Sequence, residues 1–197
     1  ISSRARIARN LKGYLFDLKA GEEDRKRVEK LVREAMSAIP DLKPLIYIPI
    51  SELDGLDQAF LVERHLVSID LLKDSTHRGV AMHPYETLSI MINEEDHLRI
   101  QSIRSGFNLE EVFNEALKVE EKLGEILEFA FSERFGYLTA CPTNAGLGLR
   151  LSVLLHLPGI VYNKEIEKLF EELRKRRQLE REKRKAHGLP HIAIAGY

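Results

Sequence analysis

The chain has 197 residues, 44% hydrophobic and 31% charged, with a net charge of −1; this supports one sizeable core and argues against a protein built mainly to hold nucleic acid. Its single cysteine, Cys141, excludes an internal disulfide framework and fits a reducing compartment. No run approaches the length of a membrane span and the first residues lack a signal-like apolar core, so the expected location is the cytoplasm, with no membrane partner.

The opening "ISSRARIARN" mixes apolar and basic residues. On a strand Arg4 and Arg6, two apart, share one face. A start on Ile1, inside that strand-like stretch, suggests an excised or rebuilt fragment. A helix follows, because Val28, Leu31, Val32, Ala35 and Met36 recur at helical spacing. Pro40 and Pro44 bracket its exit, and "LIYIPI" reads as a short strand. The stretch "LDQAFLVERHLVS" reads as a helix through Ala59, Leu61 and Val62 that becomes extended after His65. "TLSIMINEE" and "HLRIQSI" read as strands, with charged residues crowded at the turn or bulge between them. Asn108 and Glu111 suggest a capping box for the next helix, whose apolar face is expected to run from Leu109 to Phe131. "GYLTACPTN" reads as a strand entering a proline-containing loop, and "GLRLSVLLHLP" as a strand leaving it. Asn163 can cap a last helix carrying Ile166, Leu169, Phe170 and Leu173, and "HIAIAGY" can return as a strand. The expected fold class is α+β: a largely antiparallel sheet with helices on one face.

Three polar clusters sit at or beside these strands: "SSRAR", "NEEDHLR" and "CPTNAGLGLR". Arginines converging on one strand face make an anion site, since guanidinium forks match phosphate oxygens. Carboxylates beside such a site repel phosphate, and they suit a cationic second substrate or Mg2+. The combination suggests phosphoryl transfer to something basic. A basic run from Arg174 to Lys185 holds eight basic and two acidic residues. Without interleaved aromatics it reads as a solvated helix end, and nucleic acid is not an expected partner.

"SSRARIARN", "NEEDHLRI" and "CPTNAGLGLR" resemble, in order, the motifs of the ATP:guanido phosphotransferases, the family of arginine and creatine kinases. "FLVERHLVS" and "GYLTACPTN" look most like its bacterial branch that phosphorylates arginine side chains in proteins. The resemblance runs to about Tyr162, so residues 1–162 are expected to form the catalytic core, and 163–197 a helix, basic tail and final strand of the same domain. It implies ATP-dependent phosphoryl transfer to an arginine guanidinium, in proteins or as free arginine, with Mg2+ held mainly by the nucleotide; separately, an exposed sheet edge would invite pairing with another chain, a homodimer being one such assembly. By the same resemblance Arg4, Arg6, Arg99 and Arg150 contact ATP phosphates. Ser2, Ser3 and Arg150–Leu154 (with Leu151, Ser152 and Val153) border the nucleotide, and His65 lies near the adenosine. Glu95 orients the acceptor and takes its proton, Cys141 lies beside the reacting end of the guanidinium, and Glu94 and Asn144 line the substrate. The physical chemistry agrees: a guanidinium is protonated at neutral pH, so a carboxylate must withdraw a proton as the N–P bond forms.

The chain departs from the family pattern in two places. Leu147 stands where threonine is usual. The later Arg-Gly-x-x-Gly-Glu segment, which supplies one more arginine and a second carboxylate, is replaced by "GLPHIAIAGY". A different expectation therefore stands beside the first: a catalytically impaired, truncated or redesigned scaffold that keeps the fold and binds nucleotide or phosphate without turnover.

Overall fold

The structure is a computed structural model that describes residues 1–16 and 19–186. The expected return strand at 191–197, and the "GLPHIAIAGY" stretch as a whole, lie outside the described residues. The chain divides into two compact units, Ile1–Leu154 and a second beginning at Leu155.

The first unit is a six-stranded sheet made of β1 (Ser2–Arg9), β2 (Ile46–Pro49), β3 (Gly79–Met82), β4 (Leu88–Ile92), β5 (Leu98–Ser105) and β8 (Leu149–Leu154). Its order is β2-β3-β4-β5-β1-β8, and every neighbouring pair is antiparallel. A separate two-stranded ribbon joins β6 (Phe131–Ser132) to β7 (Gly136–Tyr137). Period-two alternation decides what each face does. Ala5 and Ile7 of β1 are buried with Ile90, Ile92, Leu98 and Ile100 against two helices, α1 (Glu22–Ala38) and α3 (Leu109–Gly124). Fully burying each of these isoleucine and leucine side chains contributes about 1.5–3 kcal/mol.

The opposite face is covered over only part of its width. There Val80 and Met91 pack under Leu61 of α2 (Gly55–Glu63) and under Leu66 and Leu71 of the segment that follows. Helices therefore flank both faces, where the sequence suggested one. Asp54 starts α2 by accepting the Leu56 and Asp57 backbone N–H groups, both at 2.8 Å.

One strand, β3, is added to those expected, and three local expectations change. Strand β3, only four residues long, carries no alternation that marks it out. Helix α3 stops at Gly124, so Ala130 and Phe131 belong to the ribbon region and not to its apolar face. The Asn108 capping box does not form: its side chain donates to the Ser105 carbonyl at 2.6 Å, and the Asn108 N–H instead donates to Ser3 Oγ at 2.8 Å. "GYLTACPTN" is strand only at Gly136–Tyr137, because side chains take over its backbone groups beyond that point.

In the second unit, α4 (Pro158–Tyr162) ends at Asn163, which closes that helix instead of capping the next. Helix α5 (Ile166–Ala186) then opens with the Leu169 N–H donating to the Glu165 carbonyl at 3.1 Å. Within its basic stretch the acids turn back on neighbours, Lys183 donating to Glu180 at 3.4 Å. Among the described residues no helix is long and apolar enough to cross a membrane.

Candidate active site

The uncovered part of the second face carries the arginines. Arg6 of β1 lies directly opposite Arg150 of β8, Arg4 lies opposite Ser152, and Ala8 lies opposite Arg99 of β5. Directly opposed antiparallel residues have Cβ atoms about 5 Å apart, and like charges in that position repel. Burial, followed by the neighbouring Arg4, Arg99 and Arg150, pulls the Arg6 guanidinium down to about 9, with Glu94 acting in the opposite sense. Arg4 is lowered too, by burial first and then by Arg150 and Arg99. Among the described residues no carboxylate forms an ion pair with Arg4 or Arg6. This face thus concentrates positive charge that a multiply charged anion would relieve.

The turn 93–97 joins β4 to β5 and is buried, not solvated. Asn93 enters it with φ +57 and receives the chain back through its N–H to the His97 carbonyl at 3.0 Å. Each polar residue in the turn has its own duty. Glu94, whose side chain is 1% exposed, pairs with Arg99 and with the Ser68 hydroxyl on Oε1, while Oε2 accepts the Glu95 N–H at 2.8 Å. It was expected to meet substrate; with both oxygens engaged inside the protein it is instead a brace for Arg99 and for the Glu95 backbone. Asp96 Oδ1 accepts from Asn10 Nδ2 and from the Ala140 N–H, both at 2.6 Å, and so ties the turn to the loop bearing Cys141. His97 accepts the Leu11 N–H on Nδ1 at 3.0 Å and sits 2.9 Å from the Leu15 carbonyl through Nε2, a structural role.

Glu95 is the exception. Its side chain is 36% exposed, and the Arg99 guanidinium is 3.8 Å away. Burial and then the neighbouring Asp96 push its carboxyl above the usual range, against the pull of Arg99.

The loop after β7 delivers Cys141 and then β8. Thr139 Oγ1 and the Asn144 N–H both donate to the Cys141 carbonyl, at 2.7 and 3.0 Å. Gly148 has φ +59, and a Cβ there would lie 2.6 Å from the Ala8 carbonyl oxygen. The close approach lets the Ala8 N–H donate to the Gly148 carbonyl at 2.8 Å, which sets the register that places Arg150 opposite Arg6. Leu147 turns its side chain outward, 71% exposed, and offers its carbonyl to Arg9 Nη1 at 2.9 Å. The loop uses the backbone at that position, which accommodates leucine in place of threonine.

Register sorts the remaining expected residues. Ser2, Ser152 and Leu154 share the arginine face. Ser3, Leu151 and Val153 point to the opposite, helix-bearing face, so their side chains do not border the arginines; Ser3 is fully buried and holds the start of α3. His65 is exposed at the end of α2 with φ +60, and its carbonyl accepts from Gln101 Nε2 at 2.7 Å. Gln101, Ser68 and Asn10 were not singled out from the sequence. Only the alternation of "HLRIQSI", which puts Gln101 on the face of Arg99, hints at any of them. Among the described residues no group of three or more His, Cys, Asp or Glu is arranged to hold a metal ion. Two surface hollows, of about 260 and 540 Å3, lie beside α1 and beside the end of α3, and none of Arg4, Arg6, Arg99 and Arg150 lines either.

Residues 27–187 match the family model described as ATP:guanido phosphotransferase, C-terminal catalytic domain. Over 171 residues the chain is 46% identical to a protein-arginine kinase of Clostridium novyi, covering 86% of this chain and 50% of that protein. Over 178 residues it is 42% identical to a protein-arginine kinase of Desulforamulus reducens, covering 89% and 50%. The chain thus spans about half the length of the curated relatives it matches. Among solved structures it resembles a duplicated taurocyamine kinase from Schistosoma mansoni with bound transition-state-analogue components, with a TM-score of 0.79, 29% identity, and coverage of 87% of this chain and 25% of that one. It also resembles a lombricine kinase, with a TM-score of 0.73, 28% identity, and coverage of 85% and 50%.

Proposed function

The chain belongs to the ATP:guanido phosphotransferase family, and from that membership we propose that it takes part in ATP-dependent phosphorylation of arginine guanidinium groups in proteins. The observation that carries this reading is the set of four arginines on one open sheet face with an outward-turned carboxylate, Glu95, beside them. Arg4, Arg6, Arg99 and Arg150 hold the phosphates and neutralise charge on the transferring group, the main requirement of a loose phosphoryl transition state. Glu95 orients the acceptor guanidinium. As its nitrogen forms the N–P bond and the P–O bond to the ADP leaving group breaks, Glu95 takes the N–H proton; the upward shift of its carboxyl makes it a better base than an ordinary glutamate. Cys141 and Asn144 border the acceptor, and Ser2, Ser152, Leu154 and His65 border the nucleotide. Mg2+ enters on the nucleotide. The names of the relatives favour a protein side chain over free arginine as acceptor, and the cytoplasm supplies both substrates.

The test is incubation with ATP, Mg2+ and an arginine-rich protein, with detection of acid-labile phosphoarginine. Product is expected, and Glu95→Gln should lower its rate by about a hundredfold or more. Absence of product at any protein concentration overturns the reading for this chain. Nucleotide binding without turnover would establish the scaffold alternative in its place.

A further inference from the structure

We propose that Gln101 is a positioning residue of the phosphate site, a neutral amide that fixes the Arg6 guanidinium without cancelling its charge and joins it to the backbone at His65. The inference deepens the kinase reading and rests on it for the identity of the anion.

Gln101 lies on β5 directly opposite Arg6 on one side and Ser89 of β4 on the other, and it is 1% exposed. Its Oε1 accepts from Arg6 Nε at 2.9 Å, and its Nε2 donates to the His65 carbonyl at 2.7 Å and to Ser89 Oγ at 3.2 Å. The partners leave one orientation for the amide, because an arginine N–H can only donate and a carbonyl can only accept. Ser89 Oγ in turn donates to the Leu66 carbonyl at 3.0 Å, so His65 and Leu66, just beyond α2, are both fastened to the sheet through this pair. His65 holds a left-handed backbone that residues with side chains seldom adopt, and its carbonyl direction is fixed by the Gln101 bond.

Two arginines of the face are therefore held by different chemistry. Arg99 is braced by carboxylates, Glu94 at contact and Glu95 at 3.8 Å, which offset its charge. Arg6 is aimed by an amide, so its full positive charge stays available to an anion. A carboxylate at 101 would keep the acceptor oxygen but add a negative charge to the anion site. It would also lose the donor to His65. A leucine would lose both bonds and keep the charge.

The experiment compares Gln101→Glu and Gln101→Leu in the full chain by three readouts. These are ATP affinity by calorimetry, thermal melting, and the Arg6 Nε–H resonance in 15N-labelled protein, assigned through Arg6→Lys. In the wild type that resonance should be protected from solvent exchange. Gln101→Glu should retain it and yet bind ATP about tenfold or more weakly. Gln101→Leu should lose the protection and weaken ATP less. A residue that served packing alone would lower both melting temperatures and leave the ATP affinity of the folded variants within twofold of wild type; that result overturns the proposal, as does an unprotected Arg6 Nε–H in the wild type. If the wild type binds no ATP the kinase reading falls by itself, and the Arg6 resonance together with affinity for inorganic tripolyphosphate then decides the role of Gln101.

Discussion

Three consecutive acids, Glu94, Glu95 and Asp96, end up with three jobs, and what separates them is which oxygens the protein already uses. Glu94 has both engaged and Asp96 holds Asn10 and Ala140, leaving Glu95 as the one turned outward. Removing the brace should damage the fold: Glu94→Ala strands a partly buried Arg99 and is expected to cost about 3 kcal/mol, read from chemical denaturation. Glu95 should behave in the opposite way. Its carboxyl is raised by burial and by Asp96, so the folded protein holds that proton to higher pH than the unfolded chain does. The charged form therefore opposes folding at neutral pH, and the opposition disappears as pH falls through the raised folded value towards the ordinary one. Glu95→Gln should then melt no lower than wild type at pH 7 while losing phosphoryl transfer. The acid limb of the wild-type kcat/KM profile should fall above the ordinary glutamate range near 4.5. A Glu95→Gln variant that is active but unstable contradicts both halves. The sequence marked Glu95 and the arginines because they sit in recognisable runs. Gln101 stayed hidden because its partners, Arg6 and His65, are 95 and 36 residues away, a pairing that only the strand register creates.

At the scale of elements, patterning revealed the buried faces better than it revealed where elements start and stop. Alternation in β5 and helical spacing in α1 and α3 were legible because burial against a partner imposes a period. Boundaries depend on which group takes each orphan N–H or carbonyl, and here those groups come from distant strands. The start of α3 shows this: Asn108 looked like the cap, yet Ser3 accepts its N–H at 2.8 Å and donates to the Gly106 carbonyl at 2.9 Å. Ser3→Ala should cost about 1 kcal/mol in denaturant unfolding and leave a catalytically competent sheet face, since Ser3 points away from the arginines. Asn108→Ala, lacking that cap role, should cost less, and a larger loss than from Ser3→Ala would return the cap to Asn108. The strand entering the loop before β8 is shorter than its residues suggest for a related reason. Its β-branched and apolar residues suit a strand, but Asp96 and Thr139 take the backbone groups that a ladder would need.

Across the first unit the sheet divides its work between faces. One face is closed by α1 and α3 and supplies most of the core, and the other is closed only over β3 and β4. The open part assembles Arg4, Arg6, Arg99 and Arg150 from strands that are adjacent in space and up to 146 residues apart in sequence. A net charge of −1 conceals this, because charge counted along the chain carries no information about which face it reaches. The basic run 174–185 is the more conspicuous cluster in sequence, and the paired Arg6 and Arg150 are the less conspicuous one. Their physical situations differ: exposed charges such as Arg174, Lys175 and Arg176 are screened by water and salt, whereas Arg4 and Arg6 are partly buried and mutually repelling. A bound polyanion relieves that repulsion only in the folded state, so it should raise stability by mass action, about 2.7 kcal/mol at a concentration one hundred times its dissociation constant. Thermal melting with increasing ATP should accordingly rise for the wild type, and rise equally when Arg174, Lys175, Arg176 and Arg177 are changed to glutamine. Changing Arg4 and Arg150 together to alanine should remove most of the ATP-dependent rise. An undiminished rise in that double variant would separate the arginine face from nucleotide binding, and a rise lost only in the 174–177 variant would transfer the anion site to the basic helix.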